Sequence, residues 1–195
     1  HDYQFEVEQI VTALSSGLKN VFTFWVSGLQ IPDKATCSVP LIKLDTSALY
    51  LNFNYTNTLQ RLYMVAEQNV VHIHNSVSCA KPDLILGHAV KPSDIRSLNH
   101  GLNMEEQDPR VTEANGIIDR YFSATYKPTS EVIKRKRQFF DSLCGANEIY
   151  ILGHSLSEVD IPYFEEVFNS TKKSHPKWTL TYFSAAKIPH ITKAL

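Results

Sequence analysis

Four short apolar runs, each bounded by polar or turn-forming residues, constrain this chain more than any other feature. They are Leu49–Phe53 (LYLNF), Val70–His74 (VVHIH), Glu148–Leu152 (EIYIL) and Trp178–Phe183 (WTLTYF). β-Branched and aromatic residues concentrate in them, and their lengths suit strands rather than helices. A shorter run, Leu84–Leu86 (LIL), ends at Gly87 and reads as a further strand. Apolar residues at helical spacing fill the intervals. Asp2–Gly17 carries Phe5, Val7, Ile10, Val11 and Leu14, and Asn57–Ala66 carries Leu59, Leu62, Tyr63 and Ala66. Val111–Tyr126, Glu131–Leu143 and Asp160–Asn169 also read as helices. In the last, Asp160 is placed to cap the helix and Pro162 suits its first turn.

About fifteen residues separate LYLNF from VVHIH, enough for a crossover helix and hence a βαβ unit. Val21–Leu29 is another apolar stretch, ahead of a loop containing Pro32 and Pro40. Lys91–Asp108 is polar and turn-rich, so residues 88–110 are expected to form a long loop or lid. The alternation predicts one α/β domain over residues 1–195, three-layered and Rossmann-like, with a largely parallel sheet.

Composition excludes several classes. Of 195 residues, 43% are hydrophobic and 11% aromatic, enough to bury a core and to exclude a wholly disordered chain. Nineteen basic residues against twenty acidic ones give a net charge of −1, so a general basic field for nucleic acid or anionic lipid is absent. The basic run Lys134–Arg137 reads as a solvated face. Val21–Leu29 is interrupted by Thr23, Ser27 and Gly28 and is too short to span a bilayer. Cys37, Cys79 and Cys144 form no CxxC pair, which argues against a zinc ribbon or a disulfide framework. No signal peptide is visible, and these features together point to the cytoplasm.

In parallel sheets, ligands bind beyond the carboxyl ends of strands. Three strand ends here carry clustered polar groups: Asn54-Tyr55-Thr56-Asn57-Thr58, His72-Ile73-His74-Asn75-Ser76 and Gly153-His154-Ser155. Gathered together they suggest one shared pocket. Taken singly, Thr56 or Asn57 reads as a helix cap and Ser155 as a turn cap. His72 and His74 alternate by two, so on a strand both point to one face. That geometry can ligate zinc with His88 or His154 as a third ligand. Equally, one histidine is structural and the other a base, since imidazole titrates near neutrality. No GxGxxG, P-loop, GxSxG or HExxH motif is present, so any nucleotide site is built without a glycine-rich loop.

At these residues the chain resembles the bacteriophage abortive-infection AbiH family. The match is carried by LNFNYTNTLQRLY (Leu51–Tyr63), by VVHIHNS with LILGH (Val70–Ser76, Leu84–His88), and by IYILGHSLSEVDIPYFEEV (Ile149–Val167). That family in turn looks distantly similar to sirtuin-like NAD-binding domains. The resemblance implies phage defence in a bacterial cytoplasm and NAD or a related nucleotide as ligand or substrate. It implies catalytic roles for Asn54 and His74, and nucleotide contacts from Thr56, Asn57, Ser76, Gly153, His154 and Ser155. Two positions depart from the sirtuin-like pattern: Thr56 stands where Asp is usual, and Asn75 stands where Gly follows the catalytic His. Family members usually open with a strand and a Gly-Asn-Gly-Phe-Asp-like loop, so the resemblance implies a domain lacking its first strand.

Three functions follow as expectations. The first is an anti-phage effector that hydrolyses NAD. The second is a nucleotide-binding or sensing module without chemistry. The third is a metal-dependent hydrolase or nuclease using His72, His74 and His88. The expected partners are a small-molecule nucleotide, a phage trigger and a second copy in a homo-oligomer; charge and hydropathy favour neither nucleic acid nor membrane as a partner.

Overall fold

The crossover expected between the first two apolar runs forms. In the computed structural model, which describes residues 2–38, 40–103 and 107–181, strand β1 (Tyr50–Asn52) lies parallel to β2 (Val70–His72). Tyr50 stands opposite Val70 and Asn52 opposite His72. Helix α3 (Thr58–Leu62) connects them. The chain divides into two compact units, His1–Lys127 and Pro128–Leu195. A second parallel pair lies in the latter: β3 (Glu148–Ile151) and β4 (Lys177–Leu180), joined through α7 (Ile161–Thr171). Parallel strands with helical crossovers make this an α/β protein.

The first unit opens with α1 (Asp2–Thr12) and α2 (Leu18–Ser27), joined without a break by a π-turn over Ala13–Gly17. The helical pattern read over Asp2–Gly17 therefore runs on through the apolar stretch after it. Hydroxyls support the turn, with Ser15 Oγ donating to the Val11 carbonyl at 2.7 Å. α1 packs on α4 (Pro109–Ala124). Asp108 begins α4 by accepting the Arg110 backbone N–H at 2.9 Å, and Pro109 needs no partner in the first turn. The core of this unit includes Val26, Leu62, Ile73, Leu84 and Ile117. Ile73 and Leu84 are wholly enclosed, each worth about 1.5–3 kcal/mol of burial.

Several elements differ from the sequence reading. β2 ends at His72, and Ile73-His74 form a turn, so strand alternation does not govern His74. LIL is not a strand: Ile85 N–H bonds the His74 carbonyl at 3.0 Å, and a bridge pairs His88 with Tyr126. Asp83 before the run and Gly87 after it, at φ 136°, leave too few residues to extend a ladder. Residues 91–103 form a loop with one 3₁₀ turn at Pro92–Asp94. It is fastened to α4, where Asp119 accepts Ser97 Oγ at 2.6 Å and the Leu98 N–H at 3.1 Å. Among the described residues, no helix is long and apolar enough to cross a membrane.

In the second unit the helix read over Glu131–Leu143 breaks in two at Lys136 (φ −100°, ψ 16°), giving α5 (Thr129–Arg135) and α6 (Arg137–Ser142). The basic run straddles that break. Arg137 is neutralised by Asp141 at 2.8 Å and Glu166 at 2.7 Å, as suits a solvated face. Phe140, Val132, Tyr163 and Val167 are buried in this unit. β3 was read as a buried strand, yet Glu148 and Tyr150 point outward while Ile151 points in, the alternation of a strand covered on one side. Tyr182 and Phe183, the end of the last apolar run, lie outside the described residues.

Candidate functional site

The carboxyl ends of β1 and β2 meet because the two strands are in parallel register. Asn52, the last residue of β1, is buried, and its Oδ1 accepts the Asn54 N–H at 2.9 Å. That is an Asx turn, and it swings the chain away from the sheet toward α3. Opposite, His72 Nδ1–H donates to the Asn54 carbonyl at 2.9 Å. Its Nε2 accepts from the Gln60 side-chain amide at 3.1 Å. A carbonyl only accepts, so the bond to Asn54 places a proton on Nδ1. The Asn54 side chain is exposed beside this linkage.

The chain after β2 turns back onto the same edge. Asn75 sits at φ 64° and its Nδ2 donates to the Asp83 carbonyl at 2.6 Å. Asn75 thus holds left-handed backbone with a local bond in support. Ser76 Oγ donates to the Tyr55 carbonyl at 3.0 Å and the Val77 N–H reaches the same oxygen at 2.9 Å. Segments 54–57 and 74–77 are stitched side by side in this way. His74 lies beneath them, 4% exposed, its ring edge-on to Phe53 at 5.4 Å and tilted against Tyr55 at 6.1 Å. Thr56 and Thr58 hydroxyls pair at 2.9 Å. Asn57 occupies the N-cap position of α3 without a capping side-chain bond.

This edge brings Asn54, Thr56, Asn57, His72, His74 and Ser76 together. It does not bring in His88, whose Nε2–H donates to the Phe122 carbonyl at 3.1 Å on α4. Among the described residues, no group of three or more His, Cys, Asp or Glu side chains is placed to hold a metal ion. The set His72, His74, His88 therefore does not assemble. Its premise, two histidines on one strand face, lapses where β2 stops.

In the second unit, β3 ends in a loop that closes on itself. Gly153 adopts φ 64°, and its N–H donates to Thr181 Oγ1 at 3.1 Å. His154 turns inward, Nδ1 accepting the Leu156 N–H at 2.8 Å and Nε2 lying 3.5 Å from Asp160 Oδ2. Its ring stands edge-on to Phe164 at 5.0 Å. Ser157 Oγ donates to the same Asp160 oxygen at 3.3 Å. Asp160 therefore makes no capping bond to α7, because its carboxylate serves the loop instead. Ser155 is exposed at the loop's rim.

Both loops lie inside the stretch that matches a known family. The profile of a family described as "Bacteriophage abortive infection AbiH" matches residues 1–182. The chain belongs to the AbiH family. Membership carries a role in bacteriophage abortive infection. No curated protein and no solved structure matches the chain.

Three further residues shape these two loops. Asn52 sits inside the apolar run LYLNF, where a polar residue buried in a strand is itself a signal. Gln60 gave none, because glutamine is common on helix surfaces. Asp160 was assigned to capping because Pro162 follows it. Only the loop's fold aims its carboxylate at His154.

Proposed function

We propose that this AbiH protein is an abortive-infection effector whose β1–β2 edge takes NAD or a related nucleotide, as the sirtuin-like resemblance implies. One observation carries the reading: parallel pairing sets Asn54 and the His74–Ser76 turn side by side at two carboxyl strand ends, where α/β proteins receive ligands. In the catalytic form of the proposal, Asn54 orients a water toward C1′ of the nicotinamide ribose. The water oxygen forms a bond to C1′ as the C1′–N bond breaks, and nicotinamide leaves with the electron pair. His74 takes the proton from the water. Thr56, Asn57 and Ser76 meet the nucleotide. A three-layer sirtuin-like arrangement belongs to the same proposal.

A second reading is favoured by the enclosure of His74 at 4% exposure. In it, the edge binds nucleotide without turnover, because a base must reach the water it deprotonates. One pair of measurements separates the readings. The chain is incubated with NAD and assayed for nicotinamide release, and its melting temperature is followed with and without NAD. Release by wild type that is abolished in His74→Ala supports hydrolysis. A raised melting temperature without release supports the binding module. Neither release nor a shift removes NAD from consideration.

A further inference from the structure

Helix α2 rests on the residues that hold His74 in place. The turn over residues 74–77 is held from two sides. On one, the Tyr55 carbonyl accepts Ser76 Oγ at 3.0 Å and the Val77 N–H at 2.9 Å. On the other, the Asp83 carbonyl accepts Asn75 Nδ2 at 2.6 Å, and the Ile85 N–H donates to the His74 carbonyl at 3.0 Å. The Tyr55 hydroxyl donates to the Ile85 carbonyl at 3.3 Å, so the two holding segments are themselves joined. α2 touches both. Phe22 meets the Tyr55 ring edge-on at 5.3 Å, and Lys19 pairs with the Asp83 carboxylate. Tyr55 in turn tilts against His74 at 6.1 Å.

Helical spacing puts these contacts on a single side of α2. Lys19, Phe22 and Val26 follow one another at intervals of three and four, and Val26 is buried. The chain on either side leaves the helix able to shift. Ahead of it lies the π-turn at Ala13–Gly17, wound more widely than an α-helix. After it come Gly28 and a stretch in which the described residues up to β1 form turns but no helix or strand. α2 is thus seated by side chains rather than by a short connection to the sheet. Its ion pair faces solvent, with the Asp83 side chain 82% exposed, and holds the helix weakly. Phe22 and Val26 supply the main fastening.

We propose that α2 is an autoinhibitory strap. Seated, it presses Tyr55 onto the 74–77 turn and keeps the imidazole of His74 shut from water. Lifted, it frees Tyr55, the turn loosens, and His74 is reached by solvent. Local openings of this kind draw on the elements fastened by the fewest buried contacts. The regulatory meaning rests on the reading of His74 as the base, because a base works only where it meets the water it deprotonates. The enclosure itself is independent of that reading.

Carbethoxylation of the whole chain by diethyl pyrocarbonate, with each labelled histidine located by peptide fragmentation, tests this. Phe22→Ala removes the edge-on contact and should raise the labelling rate of His74 about fivefold or more, while His88, in the same unit, stays within about twofold of wild type. Phe22→Leu keeps an apolar side chain against Tyr55 and should label like wild type. Val21→Ala, on the outward side of the same helix, should do likewise. If circular dichroism shows that Phe22→Ala does not fold, Lys19→Glu carries the same expectation, reversed by adding Asp83→Lys. An unchanged His74 rate in the folded variant overturns the proposal. So does a rise shared equally by His88, which marks loss of the whole unit, or an equal rise in Val21→Ala. Nicotinamide release from NAD is followed alongside. Release that quickens with labelling supports the strap as a regulator of the base. Faster labelling with no release from any variant supports the strap and overturns the reading of His74 as a base for NAD hydrolysis.

Discussion

The imidazole Nδ1–H of His72 donates to the backbone carbonyl of Asn54 across 2.9 Å, tying together the ends of two parallel strands. His72→Phe keeps a ring of similar size but makes neither this bond nor the bond from Gln60. Stability should fall by about 1–3 kcal/mol, since the Asn54 carbonyl and the Gln60 amide lose their partner. Asn54→Ala leaves the linkage intact, because only the backbone of Asn54 takes part in it. Its stability should stay within about 0.5 kcal/mol of wild type, as for most exposed substitutions. Urea midpoints of the two variants check this. They also establish that Asn54→Ala can be used in the NAD assay without a folding artefact.

Gly87 has no room for a side chain. A Cβ there would lie 1.8 Å from the Thr125 carbonyl oxygen, and φ is 136°. Gly87→Ala should cost about 3 kcal/mol or more, combining overpacking against backbone with left-handed strain. Gly116, in α4, has nothing within 4 Å of the added carbon. Gly116→Ala should stabilise by about 0.4–1 kcal/mol through the unfolded chain's lost freedom. Thermal melts of the two variants should move in opposite directions.

Asn75 combines a φ of 64° with a side-chain bond to the Asp83 carbonyl. Asn75→Gly loses the bond, worth about 1 kcal/mol, but keeps the backbone. Asn75→Ala loses the bond and meets the left-handed penalty of about 1–2 kcal/mol as well. The order wild type, Gly, Ala in denaturant midpoint is the expected outcome. An alanine variant as stable as the glycine variant would contradict it.

Asp108 is held below the ordinary carboxylate value of 3.8, first by the Arg110 side chain and then by the Arg110 N–H. A carboxyl depressed in the folded state stabilises above its unfolded pKa, and that contribution is lost as pH falls through the folded value. The loss therefore lies below pH 3.8. Asp108→Asn keeps an acceptor at the start of α4 but does not titrate. Urea midpoints followed downward from pH 5 should fall less steeply in Asp108→Asn than in wild type, with the difference confined below pH 4.

The αβ alternation was readable because burial writes itself into residue type. LYLNF and VVHIH must be apolar to lie in a sheet, and the interval between them is long enough for a crossover. Boundaries were less readable. VVHIH continues an apolar pattern through His74, but the chain leaves the strand at His72 because Asn75 takes left-handed backbone. LIL has strand residues yet no strand, since Gly87 must pass close beneath Thr125. The second unit hides its logic similarly: His154 and Asp160 look like a ligand and a cap, and become each other's partners once the loop folds.

Sequence alone determined the strand-forming runs, the helices between them, the near-neutral charge and the polar residues at the strand ends. Those are local or compositional properties, set by side-chain shape, hydropathy and spacing. Only tertiary structure decided which polar groups meet. Register placed His72 against Asn54, turn geometry enclosed His74 between Phe53 and Tyr55, and the loop after β3 brought His154 to Asp160. Each of these depends on how the backbone turns and on distances that residue types do not set. No pattern of residue types encodes them.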